Sequence, residues 1–386
     1  MALNPNWVFN RTILDNEVQS SDSATKIVKL PLSNYLHTLF VKVKCTNGAT
    51  SGRGLDMSDV VDKIEVVANG SDVIYSMIPA EIKRWNLWNM GVNIPEIRNE
   101  GVSAVQEATY PIYFGRGPVD PDYFLPCARL ADLELRVTYS PTIAATSFAT
   151  GTTTIAVHGL YAMGAPLGDY RGTLSHKTIK AFTSAASGDE QILIPRGNLL
   201  RQLQVYCYEA AIADGTDITR VKFELNSGER VMYDLAWNDL SIINQQENWV
   251  VHEEHILGLM ADTNTLDTDV ARIVNVHLHT RAAQSAGNDT FDVVNVTTIA
   301  GDRLTLVANT ADITAGAETF VTEATAQLID FYVKGLGLSH AVVLDFTKAG
   351  ESQLLNTSEA DEVKLTLTQG GADAAVRVST QEVRVF

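Results

Sequence analysis

Two histidine pairs and a run of carboxylates are the residues whose types and spacing come nearest to chemistry. His252-Glu253-Glu254-His255 places two imidazoles and two carboxylates in four residues. A zinc hydrolase built on such a string needs histidines four apart on a helix, with a glutamate directly after the first. Here they are three apart, beside a strand-like run, so zinc hydrolysis is not expected. His277-Leu278-His279 puts two imidazoles on one strand face, the start of a metal site. No third ligand is identifiable, and paired surface histidines account for the pattern. The stretch Asp262-Thr263-Asn264-Thr265-Leu266-Asp267-Thr268-Asp269 offers oxygen ligands of the kind calcium takes. It lacks the central glycine of the helix–loop–helix calcium site and reads as a solvated acidic loop. Asp262, Asp267 and Asp269 are kept as candidate metal ligands only.

Other chemical motifs are missing. No G-x-S-x-G, phosphate-binding Gly-Lys-Ser/Thr loop or dinucleotide-binding glycine pattern occurs in a suitable context. Gly164 to Gly172 carries glycines and Tyr170-Arg171 but no strand-to-helix switch, and reads as a linker. Asn-x-Ser/Thr triplets start at Asn10, Asn69, Asn288, Asn295 and Asn356. In a threonine-rich chain they arise by chance and are expected to be unmodified. No catalytic residue and no cofactor is expected, and the chain reads as a non-enzyme.

The elements that would position any site are strands. Period-two alternation dominates, as in Thr38 to Lys44, Lys63 to Val67, Leu133 to Tyr139, Thr154 to Val157, Leu203 to Tyr206, Val221 to Leu225, Val363 to Leu367 and Val376 to Val378. Asn69-Gly70, Gly115-Arg116-Gly117-Pro118, Asn226-Ser227-Gly228 and Gly370-Gly371 punctuate them as turns. Helical spacing occurs twice. Pro79 to Met90 opens on a first-turn proline and carries Ile82, Trp85, Leu87 and Trp88, and Trp237 to Gln246 carries Leu240 and Ile243.

Composition sets bounds. The chain has 386 residues, 45% hydrophobic and 19% charged, enough for two globular domains with their own cores. A net charge of −17, with no Lys/Arg run, argues against direct binding of nucleic acid. The first residues have neither a basic start nor an apolar segment, so no secretory signal is expected. Cys45, Cys127 and Cys207 are too few and too scattered for a disulfide framework, and each lies in or beside an apolar strand.

The two halves repeat one order of parts. Leu30-Pro31-Leu32-Ser33-Asn34 and Ile194-Pro195-Arg196-Gly197-Asn198 match without a gap at Pro31/Pro195 and Asn34/Asn198, and each runs into a strand. Leu36, Leu39, Val41 and Val43 then fall on Leu200, Leu203, Val205 and Cys207. Each half continues with a tight hairpin ending in Val-x-Tyr (Val73 to Tyr75, Val231 to Tyr233). A short helix with Trp-Asn follows, Trp85-Asn86 in one half and Trp237-Asn238 in the other. Finally, Leu125 through Thr138 lines up with Leu355 through Thr368. Two copies of one all-β fold follow, each of about eight short strands in a sandwich or jelly roll. The second copy carries extra chain, about 258–326, rich in Thr, Asp, Asn and Ala, which reads as a protruding subdomain.

This pattern resembles the double jelly-roll major capsid proteins of tailless, membrane-containing icosahedral viruses and of adenovirus. The resemblance rests on the repeat, the helix after an early hairpin and the long insertion. It implies an all-β architecture: a 1–25 N-terminal arm, jelly roll 1 over 26–163, a linker over 164–175, and jelly roll 2 over 176–386 with a tower at about 258–326. It also implies homotrimers of pseudo-hexagonal outline that tile a virion shell. The partners would be neighbouring capsomers, penton and minor capsid proteins, and an internal membrane met through the arm. Assembly would take place in the host cytoplasm. In the arm, Trp7, Val8 and Phe9 are the large apolar residues at its start and Arg11 the lone basic one. Trp85, Trp88, Trp237, Pro31 and Pro195 are expected to be structural. Two other readings are a spike, fibre or glycan-binding β-sandwich and a glycan-acting enzyme on a double jelly roll. The first needs exposed aromatics, yet only Phe291 and Phe320 lie between residues 258 and 326. The second needs carboxylates gathered from distant strands.

Overall fold

The computed structural model describes residues 6–49, 57–164, 168–209, 212–248, 251–260, 263–267, 272–280, 294–300, 303–308 and 327–386. The first half forms β1 (Asn6–Val18), β2 (Ala24–Lys29), β3 (Tyr35–Thr46), β4 (Val61–Ala68), β5 (Asp72–Met77), α1 (Pro79–Met90), β6 (Glu96–Asn99), β7 (Val105–Tyr113), β8 (Leu125–Pro126), β9 (Leu133–Tyr139) and β10 (Thr154–Gly164). The second forms β11 (Thr173–Thr183), β12 (Gly188–Leu193), β13 (Leu199–Tyr208), β14 (Ile218–Leu225), β15 (Arg230–Ala236) and α2 (Trp237–Asn248). After α2 come β16 (Val251–Met260), β17 (Thr263–Asp267), β18 (Arg272–Thr280), β19 (Val294–Ala300), β20 (Arg303–Ala308) and β21 (Gln327–Leu336). The chain ends with β22 (Ala341–Asp345), β23 (Leu355–Asn356), β24 (Val363–Gln369) and β25 (Ala375–Arg384).

Each half is a two-layer jelly roll. In the first, β1-β10-β3-β7 faces β2-β9-β4-β5; in the second, β11-β25-β13-β22 faces β12-β24-β14-β15. The strand orders are the same, and the short strands β8 and β23 cap β3 and β13 in turn. Alternation supplies the cores. Leu133, Leu135 and Val137 of β9 point inward, as do Val363, Leu365 and Leu367 of β24. Leu36, Leu39, Val41 and Val43 fill one core; Leu200, Leu203 and Val205 fill the other.

The repeat extends to irregularities. β1 slips register against β10 between Thr12 and Leu14, and β11 slips against β25 between Thr178 and Lys180. β4 slips against β9 between Val61 and Lys63, and β14 against β24 between Ile218 and Arg220. The β4–β5 hairpin slips beyond Val66↔Tyr75, and the β14–β15 hairpin beyond Phe223↔Tyr233. A bulge inserts a residue and turns the strand, so three bulges at matched places mean two copies of one backbone path.

The register also corrects one detail of the sequence alignment. With Tyr75 on Tyr233, the chain runs without a gap into the helices, placing Pro79 on Trp237 and Trp85 on Ile243. Trp237 therefore stands at the start of its helix and is not the partner of Trp85. It is 1% exposed, and its indole N–H donates to Asp214 at 2.8 Å. A second difference concerns the segment expected as an arm. Asn6–Val18 of it is strand β1, paired along β10, with Phe9 stacked on Tyr161. The bulge interrupts its alternation, which is why the period does not read as a strand. Between the barrels, β10 ends at Gly164 and β11 begins at Thr173. Pro31 and Pro195 sit just after β2 and β12, where a missing N–H leaves no ladder bond unmade.

Candidate functional site: the junction between the barrels

The most elaborate arrangement of polar groups is where the two jelly rolls meet. Edge strand β5 of the first barrel pairs in parallel with β11 of the second, Tyr75 beside His176 and Ser76 beside Lys177. This makes one sheet continuous through both barrels. β6 pairs in parallel with β16 in the same way, Ile256 beside Arg98.

Helix α1 is wedged into this junction. Pro79 at its first position and a Glu81 carboxylate accepting from the Ile78 N–H start it; Gly91, at φ 68°, ends it with its N–H on the Leu87 carbonyl. Nine of its residues are buried, four of them ionisable or amide-bearing. On one side Ile82 and Leu87 join the first core. Polar groups reach the second barrel. The Trp85 indole N–H donates to Ser379 Oγ at 3.0 Å, and Thr178 donates to Glu81 at 2.7 Å. Arg84 donates to the Ser339 carbonyl at 3.2 Å and lies over the Tyr206 ring. Asn248 donates to the Trp88 carbonyl at 2.9 Å. Lys83 and Glu96 form an ion pair of 2.7 Å, the lysine side chain 3% exposed. Trp85 and Trp88 are each 3% exposed.

Electrostatics at the junction follow from burial. His176 stands edge-on to Trp85 and bonds Gln381 at 2.7 Å. Burial pushes its imidazole down to about 3, and the Arg201 charge acts in the same direction. Burial raises the Glu81 carboxyl, against the hydrogen bonds from Thr178 and Ile78. A second clasp lies nearby, where Glu351 accepts from Tyr123 of the first barrel at 3.3 Å and from Arg201 of the second at 3.0 Å. Near the C-terminus, Arg384 pairs with Asp72 at 2.9 Å.

The chemical candidates do not converge. His255 lies on β16, its ring stacked on Tyr332 at 4.4 Å, and Glu253 pairs with Lys334. His277, on β18, flanks Tyr332 from the other side and contacts Asn275 at 3.1 Å. Tyr332 thus separates the two imidazoles on an exposed sheet face. The side chains of His252 and His279 lie outside the described residues, as do Asp262 and Asp269. Asp267 closes β17 opposite Arg303. Among the described residues no group of three metal-ligating side chains gathers. The cysteines are buried, and burial raises the thiols of Cys45 to about 11 and Cys127 to about 12. No described helix is long and apolar enough to cross a membrane.

Sequence reasoning missed the junction residues Glu81, Arg84, His176, Ser379 and Gln381. In β11 and β25 the runs Ser175 to Thr178 and Ser379 to Glu382 are polar at four successive positions, and this break in alternation is the signal that could have marked strands with a polar row buried under a helix.

Two barrels of identical topology, fused edge to edge, define a double jelly roll. Solved structures share this fold along nearly the whole chain. The crystal structure of the STIV MCP matches with a TM-score of 0.59 at 10% identity, covering 98% of this chain and 97% of that one. A chain in the atomic structure of Sulfolobus Turreted Icosahedral Virus matches at 0.58 and 11%, covering 97% and 90%. The major capsid protein P2 of Bacteriophage PM2 matches at 0.52 and 10%, covering 98% of each. No protein-family model and no curated protein sequence matches.

Proposed function

We propose that this chain is a structural, non-enzymatic protein, the major capsid protein of an icosahedral virus, which acts as a homotrimer of pseudo-hexagonal outline. The observation that carries the reading is the junction. Two barrels with the same strand order and the same bulges are joined by a buried helix and a shared sheet. Three such pairs in a ring present six similar outer walls, which lets a threefold object tile a near-hexagonal lattice. A fold at 10% identity does not carry function with it; the rigid pairing of two alike barrels is what suits this chain to tiling.

In this reading the chain resides in the virion and assembles in the host cytoplasm. Its partners are neighbouring capsomers, with penton and minor capsid proteins at the vertices and seams. The insertion at about 258–326 is the outward tower; its described strands include the three-stranded sheet β17-β20-β19. Any contact with an internal membrane falls to the start of the chain, because Asn6–Val18 is engaged as a barrel strand. The net charge of −17 leaves nucleic acid without direct contact. Electron microscopy of the purified native protein tests this. Six-lobed particles that form hexagonal arrays at high concentration are expected; single two-lobed particles forming no lattice would contradict it.

A further inference from the structure

We infer that the contact between subunits is a copy of the contact inside the chain: the edge of β15 and the outer face of α2 dock on β1 and the outer face of β10 and β3 of a second copy. The inference rests on the trimer reading and assigns its interface. Within the chain, the β5 edge of barrel one is satisfied by the β11 edge of barrel two. By the repeat, β15 is the counterpart of β5 and β1 the counterpart of β11. Both are terminal strands of their sheets with one neighbour each among the described residues. An open strand edge seeks a partner.

The register names the pairs. Arg11 lies opposite Gly159, and Lys177 opposite Thr380; Gly159 and Thr380 in turn lie opposite Leu39 and Leu203. Arg11 therefore occupies the place of Lys177, Asn10 that of His176, and Thr12 that of Thr178. On the other side Tyr233 and Asp234 occupy the places of Tyr75 and Ser76. The copied parallel pair sets Tyr233 beside Asn10 and Asp234 beside Arg11 of the second copy, a carboxylate against a guanidinium.

The helices agree. Glu81, Arg84 and Trp85, which reach from α1 into the second barrel, correspond to Asp239, Ile242 and Ile243 of α2. The surfaces they meet, Thr178, Tyr206 and Ser379, correspond to Thr12, Lys42 and His158. Asp239 is exposed and Ile242 is 52% exposed, and among the described residues nothing covers them as the second barrel covers α1. Asp234 and Asp239 on one surface thus face Arg11, Lys42 and His158 on the other. In the single chain Lys42 pairs with Glu107, both half-buried, and Asp234 pairs with Arg220 in an exposed position. A contact of this kind is head-to-tail, and it closes into a ring after three copies.

The test is a disulfide in the full-length chain. Neighbouring residues of paired strands lie within bridging distance, and the three native cysteines are buried. Arg11→Cys with Asp234→Cys, mildly oxidised, should give covalent dimer and trimer on a non-reducing gel. Each single variant should give neither. Ser76→Cys with Lys177→Cys calibrates the geometry by bridging within one chain. A wild-type trimer whose double variant stays uncrosslinked while the calibration pair bridges would overturn the interface and leave the trimer reading standing. A wild-type monomer would instead remove the trimer reading itself. Ile242→Lys, which sets a second ammonium against Lys42 of the neighbouring copy, gives a second readout through an exposed residue. The expected result is a monomeric mass with the strand-rich circular dichroism of the wild type retained, and a lower melting temperature because association no longer stabilises the fold; a retained trimer would count against the interface.

Discussion

Trp85 shows at the residue scale what the junction demands. Its ring fills space between the barrels at 3% exposure, and its N–H reaches Ser379. Trp85→Ala removes both and should cost about 3–5 kcal/mol in chemical denaturation. Trp85→Phe keeps most of the bulk and should cost less, leaving Ser379 without its donor at about 1 kcal/mol. Equal losses in the two variants would mean that the hydrogen bond and not the packing dominates. His176 adds a pH dependence. Its folded value is held near 3 against an ordinary 6.5. As pH falls below 6.5 the unfolded chain takes up a proton that the folded chain refuses, so stability drops through that window. The slope is up to about 1.4 kcal/mol per pH unit. Glu81, raised by burial, works the other way, gaining stability as pH falls through its own titration. The difference between wild type and His176→Gln isolates the histidine. The variant should lose less stability than wild type between pH 7 and pH 5, read from denaturation midpoints. An identical loss would place His176 in contact with solvent.

The elements were legible in the sequence to the extent that their signals are local. Proline at a first-turn position and the spacing of Ile82, Trp85 and Trp88 delimit α1, and alternation marks β9 and β24. The gapless Pro31/Pro195 match locates β3 and β13. What was not legible depends on contacts between distant segments. The bulge hides β1 from a period-two reading. Matching Trp85 to Trp237 by residue type misses the helix register, which sets Trp85 on Ile243, because similar residues occupy different turns. The joining of β5 to β11 shows in the sequence only as the break in alternation at Ser175 to Thr178, which does not name the partner strand. Gly172, just before β11, gives a prediction at this scale. Its φ is +147°, and a Cβ there would lie 2.6 Å from Val383 Cγ1 and 2.8 Å from the Arg384 carbonyl. Gly172→Ala should therefore destabilise the chain by about 1–3 kcal/mol through strain and overpacking. A change below half a kcal/mol in calorimetry would show that the final strand yields freely.

At the scale of the molecule the central fact is that one backbone path occurs twice. The two copies differ mainly in what covers them. The first barrel lends its helix to the second, while the equivalent helix of the second is open on its outer face. That asymmetry is the physical argument for association, since the surface left open by one barrel matches the surface covered in the other. Among the described residues the His255–Tyr332–His277 face gathers no third metal ligand. The most direct test is the mass of the purified native protein in solution by light scattering. The account predicts three times the 42.0 kDa of the chain, stable to dilution. A mass of one chain at all concentrations would contradict it.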